Sequence, residues 1–240
     1  MLRRIYLRAR DLILRTAMKQ LLAIQTVHGL EKIGSAYGGW IVPTTMLDES
    51  WICYDGGVGE DLTFADGLIA RYGCQVFGFD PTPRAVAYAE SFGKSHHLFT
   101  FRPFGLWSSS QRLSFFAPRD PQHVSHSVTD LQGTSAVAFV ADCRSIPDVM
   151  RELGHERIDL LKLDIEGAEF EVLTSVLDSL IRPTIICVEF DQPSSLRRIW
   201  RMVERIKRAG YALVAVDRWN CTFVHLDRMS TDGTVLRELP

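Results

Sequence analysis

Short apolar runs alternate with stretches of helical apolar spacing along most of this 240-residue chain. The apolar runs predict strands at residues 51–54, 75–80, 98–102, 158–164, 184–190, 211–216 and 221–226, and shorter strands at 113–116 and 137–140. Apolar residues three and four apart predict helices at residues 62–72, 146–153, 166–180 and 196–208. With right-handed crossovers between parallel strands, this order predicts an α/β fold with a doubly wound sheet and helices on both faces.

Four acidic residues lie at or near the ends of predicted strands. They are Asp55, Asp80, Asp164 and Glu189. In open α/β sheets, ligands bind at the carboxyl ends of the strands. We therefore expect these acids to gather on one rim of the sheet, although the sequence scatters them.

Residues 55–61, with the sequence DGGVGED, form a glycine turn between the first core strand and a helix. Glycines let the backbone turn sharply and approach a ligand closely. The next strand ends in Asp80, at a spacing where a carboxylate can accept hydrogen bonds from both hydroxyls of an adenosine ribose. The two features together predict a cofactor site and an enzyme.

The charges in this turn discriminate between cofactors. The turn lacks the third glycine of a dinucleotide fingerprint, and Glu60 and Asp61 would repel a pyrophosphate. S-adenosylmethionine carries a sulfonium and an ammonium and no phosphate, so we expect it as the cofactor. A nicotinamide-dependent oxidoreductase, argued against by the lack of a convincing Tyr-x-x-x-Lys dyad, and a non-catalytic binding module remain the alternatives.

Composition excludes several classes of protein. Hydrophobic residues make up 46% and charged residues 23%, with a net charge of −2, so we expect a soluble protein without a nucleic-acid partner. The five cysteines include no close pair, which predicts reduced core thiols without disulfides or a zinc cluster. Reduced thiols favour the cytoplasm.

Basic and apolar residues are interleaved near the N-terminus, over residues 2–22. No apolar run there is long enough to span a bilayer or to form a signal peptide. We expect an amphipathic helix that packs on the domain or on a second subunit of a homo-oligomer, with peripheral membrane contact as the alternative. We therefore predict two regions. Residues 1–37 contain this helix and a loop, and residues 38–240 form the catalytic domain. In the loop, Tyr37 and Trp40 either cover the cofactor or seal the core.

The run at residues 158–173, IDLLKLDIEGAEFEVL, closely resembles the signature of the FkbM-type S-adenosylmethionine-dependent methyltransferases. Residues 55–61 and 79–83 resemble the cofactor motifs of the same family, and residues 188–191 resemble its later acidic strand end. The resemblance covers roughly residues 38–224. It implies a Rossmann-like methyltransferase sheet of about seven strands with the last antiparallel, and O-methylation as the usual chemistry.

The resemblance also implies roles for individual residues. Carried onto this chain, the cofactor-binding set is Asp55, Gly57 and Gly59 with Glu60 for the methionine part, Asp80 for the ribose, and Gly105 and Leu106 for the adenine. The expected acceptor is a hydroxyl of a sugar, a lipid-linked glycan or a secondary metabolite. The loop at residues 107–134 and the N-terminal helix are expected to select it.

Methyl transfer from a sulfonium requires alignment of the acceptor and a base for its proton. Asp164 is the first candidate base, followed by Glu189, Glu166 and His126. The alternative for Asp164 is a capping role at the helix predicted for residues 166–180.

Two further expectations concern neighbouring acids. Glu169 and Glu171 are expected on the solvent face of the predicted helix. We expect no metal ion, and the alternative is magnesium held by Asp164 with Glu189 or Asp191.

Overall fold

The computed structural model describes residue 16 and residues 22–120, 125–190 and 194–229. The predicted N-terminal helix lies almost entirely outside these residues. Within them, no helix combines the length and the apolar character needed to cross a bilayer.

The described elements are numbered in chain order. The strands are β1 Leu30–Ile33, β2 Trp40–Pro43, β3 Ile52–Gly56, β4 Gln75–Phe79, β5 Phe99–Arg102, β6 Gly105–Leu106, β7 Gln111–Phe116, β8 Val137–Arg144, β9 Leu160–Leu163, β10 Ile185–Glu189, β11 Tyr211–Asp217 and β12 Asn220–His225. The helices are α1 Thr63–Tyr72, α2 Pro83–Gly93, α3 Ile146–Leu153, α4 Glu169–Asp178 and α5 Leu196–Arg208.

The main sheet has seven strands in the order β11-β12-β10-β9-β3-β4-β5. Strands β5, β4, β3, β9 and β10 are parallel, and β12 is antiparallel to both of its neighbours. The last strand reverses because only two residues, Arg218 and Trp219, join it to β11, and so short a connection can form only a hairpin. The predicted Rossmann-like methyltransferase sheet is confirmed.

Each face of the sheet carries its own apolar core, because alternate residues of a strand point to opposite faces. Tyr54 and Leu161 pack with side chains from α3, α4 and α5. Cys53 and Leu160 pack with side chains from β2, α1 and α2. Helices therefore cover both faces, as the doubly wound fold requires.

A small second sheet interrupts the predicted alternation of strands and helices. Strands β5 to β8 follow one another with no helix among the described residues between them, and β8 pairs with both β6 and β7. The strands predicted at residues 113–116 and 137–140 lie here rather than in the main sheet. Their pairing is fixed by apolar partners on one face, such as Phe115 and Phe139, whose rings stack with centroids 4.9 Å apart.

Strands β1 and β2 form an antiparallel hairpin. Tyr37 lies in the loop of this hairpin, and Trp40 is the first residue of β2. Trp40 is buried in the core, whereas Tyr37 exposes 83% of its surface. The hairpin includes residues on both sides of residue 37, where we predicted the boundary between the N-terminal region and the catalytic domain. That boundary stays a prediction.

Candidate active site

A cleft of about 630 Å³ opens at the carboxyl ends of the parallel strands. Nine of the predicted catalytic and cofactor-binding residues line it: Gly57, Gly59, Glu60, Asp80, Gly105, Leu106, His126, Asp164 and Glu166. Most of the predicted site residues are therefore brought together. Asp55 and Glu189 are not among the lining residues. Asp55 is a buried residue of β3, and Glu189 is half-buried at the end of β10.

The glycine turn is shaped by a close approach of two backbones. Gly57 has a φ of +77°, and a Cβ atom built on it would lie 1.7 Å from the carbonyl oxygen of Asp164. Only glycine fits at this point. The turn therefore lies directly against the loop that follows β9, so the cofactor motif and the acidic strand end share one wall of the cleft.

Asp80 holds the same turn from the other side. Its Oδ2 accepts a hydrogen bond from the backbone N–H of Gly59 at 3.0 Å, and its Oδ1 accepts one from Thr82 at 2.8 Å. Burial raises the pKa of Asp80, and these two hydrogen bonds oppose the rise. Each oxygen keeps a further acceptor position.

Lys162 is buried beneath the glycine turn. It lies opposite Asp55 in the parallel pairing of β9 and β3, and its Nζ is 2.9 Å from Asp55 Oδ1. The same ammonium donates to the carbonyl oxygen of Gly57 at 2.7 Å and lies 3.8 Å from Asp164 Oδ2. Burial works against its charge, but Asp55 and Asp164 raise the pKa of Lys162 to about 12.

The sequence analysis gave Lys162 no role. The signal was nevertheless present, because a lysine stands inside the apolar run of residues 160–163. A lysine in such a strand must find a partner, since an unpaired buried charge is costly.

Three carboxyl groups, those of Asp164, Glu166 and Glu189, form a largely buried acidic cluster. Burial and the charges of Asp164 and Glu166 raise the pKa of Glu189 to about 8. Burial and the charge of Asp164 also raise the pKa of Glu166 to about 7, against a hydrogen bond from Ser125. Burial raises the pKa of Asp164, and Lys162 opposes that rise. Such a cluster can exchange protons near neutral pH.

The turn after β9 differs from the predicted helix start. Glu166 has a φ of +54° and Gly167 a φ of +98°, so α4 begins at Glu169 instead of residue 166. Glu169 is fully buried, and its Oε1 accepts hydrogen bonds at 3.0 Å from the backbone N–H groups of Ile165 and Gly167.

Two expectations for this segment are decided by that geometry. The solvent-facing position expected for Glu169 is wrong, because its carboxylate satisfies the backbone of the turn. The capping role considered for Asp164 is also not observed, since the residue at the N-cap position of α4 is Ala168. Glu171 is half-exposed, with 48% of its side chain accessible, as expected.

A hydrogen-bond network fixes the loop of the β1–β2 hairpin at the cleft. Asp61 accepts from the Ser35 hydroxyl at 2.6 Å and from the Thr63 hydroxyl at 2.6 Å. Ser35 Oγ in turn accepts from the N–H of Gly38 at 2.8 Å and of Tyr37 at 3.1 Å. Asp61 therefore positions a loop, and Tyr37 lines the cleft opposite the acidic cluster.

The other candidates have simpler surroundings. The carboxylate of Glu60 pairs with the Arg84 guanidinium through two hydrogen bonds, at 3.1 and 2.6 Å. His126 lines the cleft, whereas His123 lies outside the described residues. Asp191 also lies outside them, and in the part of the chain that is described no group of three or more His, Cys, Asp or Glu could hold a metal ion.

Comparison with known proteins decides the family. The model of the methyltransferase FkbM domain matches residues 56–213, more than half of the chain. The chain belongs to the FkbM methyltransferase family. The similarity expected from the run at residues 158–173 is confirmed.

Relatives of this FkbM-family chain differ from it in length. The probable methyltransferase-like protein 24 of Rattus norvegicus and that of Homo sapiens are both 30% identical to it over 124 residues, 52% of this chain. The match covers 28% of the rat protein and 27% of the human one, so the chain spans just over a quarter of these relatives.

A crystal structure of methyltransferase FkbM from Methylobacillus flagellatus KT has the same fold. It superimposes with a TM-score of 0.53 at 16% identity and covers 90% of this FkbM-family chain and 59% of its own. Membership of the family makes S-adenosylmethionine the cofactor, in agreement with the charge argument from the glycine turn.

Proposed function

We propose that this chain transfers a methyl group from S-adenosylmethionine to a hydroxyl of a small-molecule or glycan acceptor, with Asp164 as the base. The observation that carries the proposal is the meeting of the glycine turn, Asp80 and the acidic cluster in one cleft. The acceptor is a sugar, a lipid-linked glycan or a secondary metabolite. The buried free cysteines support a reducing compartment, for which we propose the cytoplasm.

The residues of the cleft fit the cofactor in shape and charge. A Cβ atom at Gly57 would meet the backbone at 1.7 Å and one at Gly105 would meet Cys143 Sγ at 2.8 Å, so glycine is required for the close packing that shapes the cleft at both points. Asp80 offers acceptor positions for ribose hydroxyls. Gly105 and Leu106 would flank the adenine, and Gly59 and Glu60 would lie at the methionine part.

The bound cofactor supplies a methyl group already activated by its sulfonium, so the protein must align the acceptor and remove its proton. Asp164 is the first candidate because 30% of its side chain is accessible and it lines the cleft. Its ion pair with Lys162 favours the carboxylate form that a base requires. Glu166 lines the same cleft, and a hydrogen bond with the Glu189 side chain also favours the carboxylate form of Asp164.

The alternatives are less well supported. A match to a methyltransferase family argues against the nicotinamide-dependent oxidoreductase. A non-catalytic module has no need of an acidic cluster whose charges oppose one another, since such a cluster destabilises the fold.

Calorimetric titration with S-adenosylhomocysteine tests the cofactor assignment, with NAD as the parallel control. We expect micromolar binding of the first and no binding of the second. Binding of NAD alone, or of neither compound, would contradict the proposed function. Acceptors are then found by screening hydroxylated sugars and glycans for transfer of a labelled methyl group.

Asp164→Asn tests the base. We expect the variant to bind S-adenosylhomocysteine within about threefold of the unchanged protein and to slow methyl transfer to the acceptor found in the screen by about 100-fold or more. Glu171→Gln, on the exposed face of α4, is the matched control and should do neither. Equal losses of affinity and rate in Asp164→Asn would mean that Asp164 serves the cofactor or the fold.

A further inference from the structure

The central strand β9 carries a buried positive charge, that of Lys162. Lys162 exposes 5% of its surface and lies in the middle of the main sheet, where it pairs with Cys187 of β10 on one side and Asp55 of β3 on the other. Strands at this position are ordinarily apolar, because a charge removed from water must be compensated by close partners. Lys162 has three such partners, and they belong to different parts of the site.

The first partner is Asp55 on β3. Among the described residues, Asp55 Oδ1 accepts no hydrogen bond, so the ion pair with Lys162 at 2.9 Å is the contact that compensates its burial. Charge compensation alone would require nothing more of Lys162. Its other contacts therefore suggest a further role.

The other two partners, Gly57 and Asp164, lie on the same wall of the cleft but belong to different loops. Lys162 donates to the carbonyl oxygen of Gly57 at 2.7 Å, within the glycine turn, and its Nζ is 3.8 Å from Asp164 Oδ2. The Gly57 and Asp164 backbones are also in direct contact. One ammonium thus joins the cofactor turn to the candidate base.

We propose that Lys162 is a positioning residue, whose ammonium holds Asp164 as a carboxylate and fixes the glycine turn through the carbonyl of Gly57. This inference rests on the proposed function, in which Asp164 removes the acceptor's proton. Lys162 itself touches neither the acceptor nor the proton that is moved.

The groups around Asp164 come from every neighbouring element. Asp55 on β3, Asp80 after β4 and Glu189 on β10 are carboxyl groups, and Lys162 on β9 is the cation. Two further acidic groups approach from loops, namely Glu166 and the Tyr37 phenol. Among these described groups, Lys162 is the one cation, and a hydrogen bond with the Glu189 side chain is the other contact that favours the Asp164 carboxylate.

The obvious variant, Lys162→Met, leaves Asp55 buried without its partner and is expected to fold poorly. The double variant Asp55→Asn with Lys162→Met removes both charges and keeps the side-chain volumes similar. Asp55→Asn alone is the matched control, because it lacks the same carboxylate but keeps the lysine. The comparison of these two proteins isolates Lys162.

Titration of the side-chain carboxyl carbons by 13C NMR measures the effect directly. The protein is labelled with 13C-aspartate, and the Asp164 signal is assigned from its loss in Asp164→Asn. We expect the Asp164 midpoint in the double variant to lie at least one pH unit above that in Asp55→Asn. Equal midpoints would overturn the electrostatic role.

Calorimetry with S-adenosylhomocysteine tests the second half of the inference. We expect the double variant to bind at least tenfold more weakly than Asp55→Asn, because the Gly57 carbonyl has lost its donor. Equal affinity would overturn the role in fixing the turn. Neither readout needs a methyl acceptor, and binding by the unchanged protein tests the proposed function separately, so the two failures are distinguishable.

Discussion

At the scale of single residues, this site is built by two ways of compensating a buried carboxylate. The negative charge of Asp55 is compensated by its ion pair with Lys162. Asp80 relies instead on two backbone N–H groups, those of Gly59 and Thr82. Hydrogen bonds to neutral donors leave the carboxylate its charge and its remaining acceptor positions, so Asp80 is the one of the two that suits hydroxyl groups of a ligand.

Asp80→Ala should therefore weaken S-adenosylhomocysteine binding about tenfold or more. Two hydrogen bonds to a charged acceptor, each worth on the order of 1 kcal/mol, account for a loss of that size. Calorimetry measures it, and thermal unfolding shows whether the fold survives. Asp80→Asn, which keeps one oxygen acceptor, should lose less. An unchanged affinity in Asp80→Ala would remove Asp80 from the cofactor site.

At the scale of elements, the sequence predicts the bounds of a helix or strand best where one face of that element is apolar. The helix predicted at residues 196–208 matches α5 Leu196–Arg208, because its buried face is regular and Ser195 caps its first turn. The start of α4 was wrong by three residues. Positive φ angles at Glu166 and Gly167 arise from packing on the neighbouring loop, where a Cβ at Gly167 would lie 2.6 Å from Thr129 Oγ1. The spacing of apolar residues near Gly167 in the sequence does not indicate that contact.

The candidate active site, like the helices and strands, was predicted in part from the sequence. Strand ends and glycine spacing indicated the acids and the turn, because both follow from parallel topology. The role of Lys162 and the loop network of Asp61 depend on residues more than twenty positions apart in the sequence, such as Ser35. Pairings of that kind become visible only when the register of β3 and β9 and the β1–β2 hairpin is known.

The junction of the glycine turn with β9 is the tightest contact between elements of the site. Gly57→Ala should destabilise the protein by more than about 2 kcal/mol. The new methyl group would collide with the Asp164 carbonyl oxygen, and alanine would also have to adopt a positive φ. Gly154→Ala is the matched control. Its φ of +71° is similar, but a Cβ there meets nothing within 4 Å. We expect the control to cost about 1 kcal/mol in urea unfolding. Equal costs would show that the turn can move away from β9.

At the scale of the whole molecule, the doubly wound sheet gathers carboxyl groups that repel one another. Asp164 and Glu189 end neighbouring parallel strands, so the topology that creates the cleft also brings their charges together. The apolar cores on both faces of the sheet must supply the free energy that offsets this repulsion. Stability should therefore depend on pH in a way that reports on the cluster.

Glu189 gives this dependence a definite sign. Its pKa is about 8 in the folded protein, against an ordinary value of 4.5. Below pH 4.5 both the folded and the unfolded chain hold the proton, and the contribution of Glu189 to stability is fully present. Between pH 4.5 and 8 the unfolded chain loses the proton first, so the folded state binds more protons and the free energy of unfolding falls as pH rises. Above pH 8 the contribution is lost.

Glu189→Gln cannot ionise, so this part of the pH dependence should disappear. Relative to the unchanged protein, the variant should gain at least about 1 kcal/mol of stability between pH 5 and pH 8, since one unit of pKa shift corresponds to about 1.4 kcal/mol. Urea unfolding at a series of pH values measures the difference. Glu171→Gln is the control, because Glu171 is half-exposed and lies outside the cluster, and it should follow the unchanged protein at every pH. If the Glu189→Gln curve also ran parallel to that of the unchanged protein, Glu189 would ionise freely in the folded state, and the repulsion proposed for this rim of the sheet would be absent.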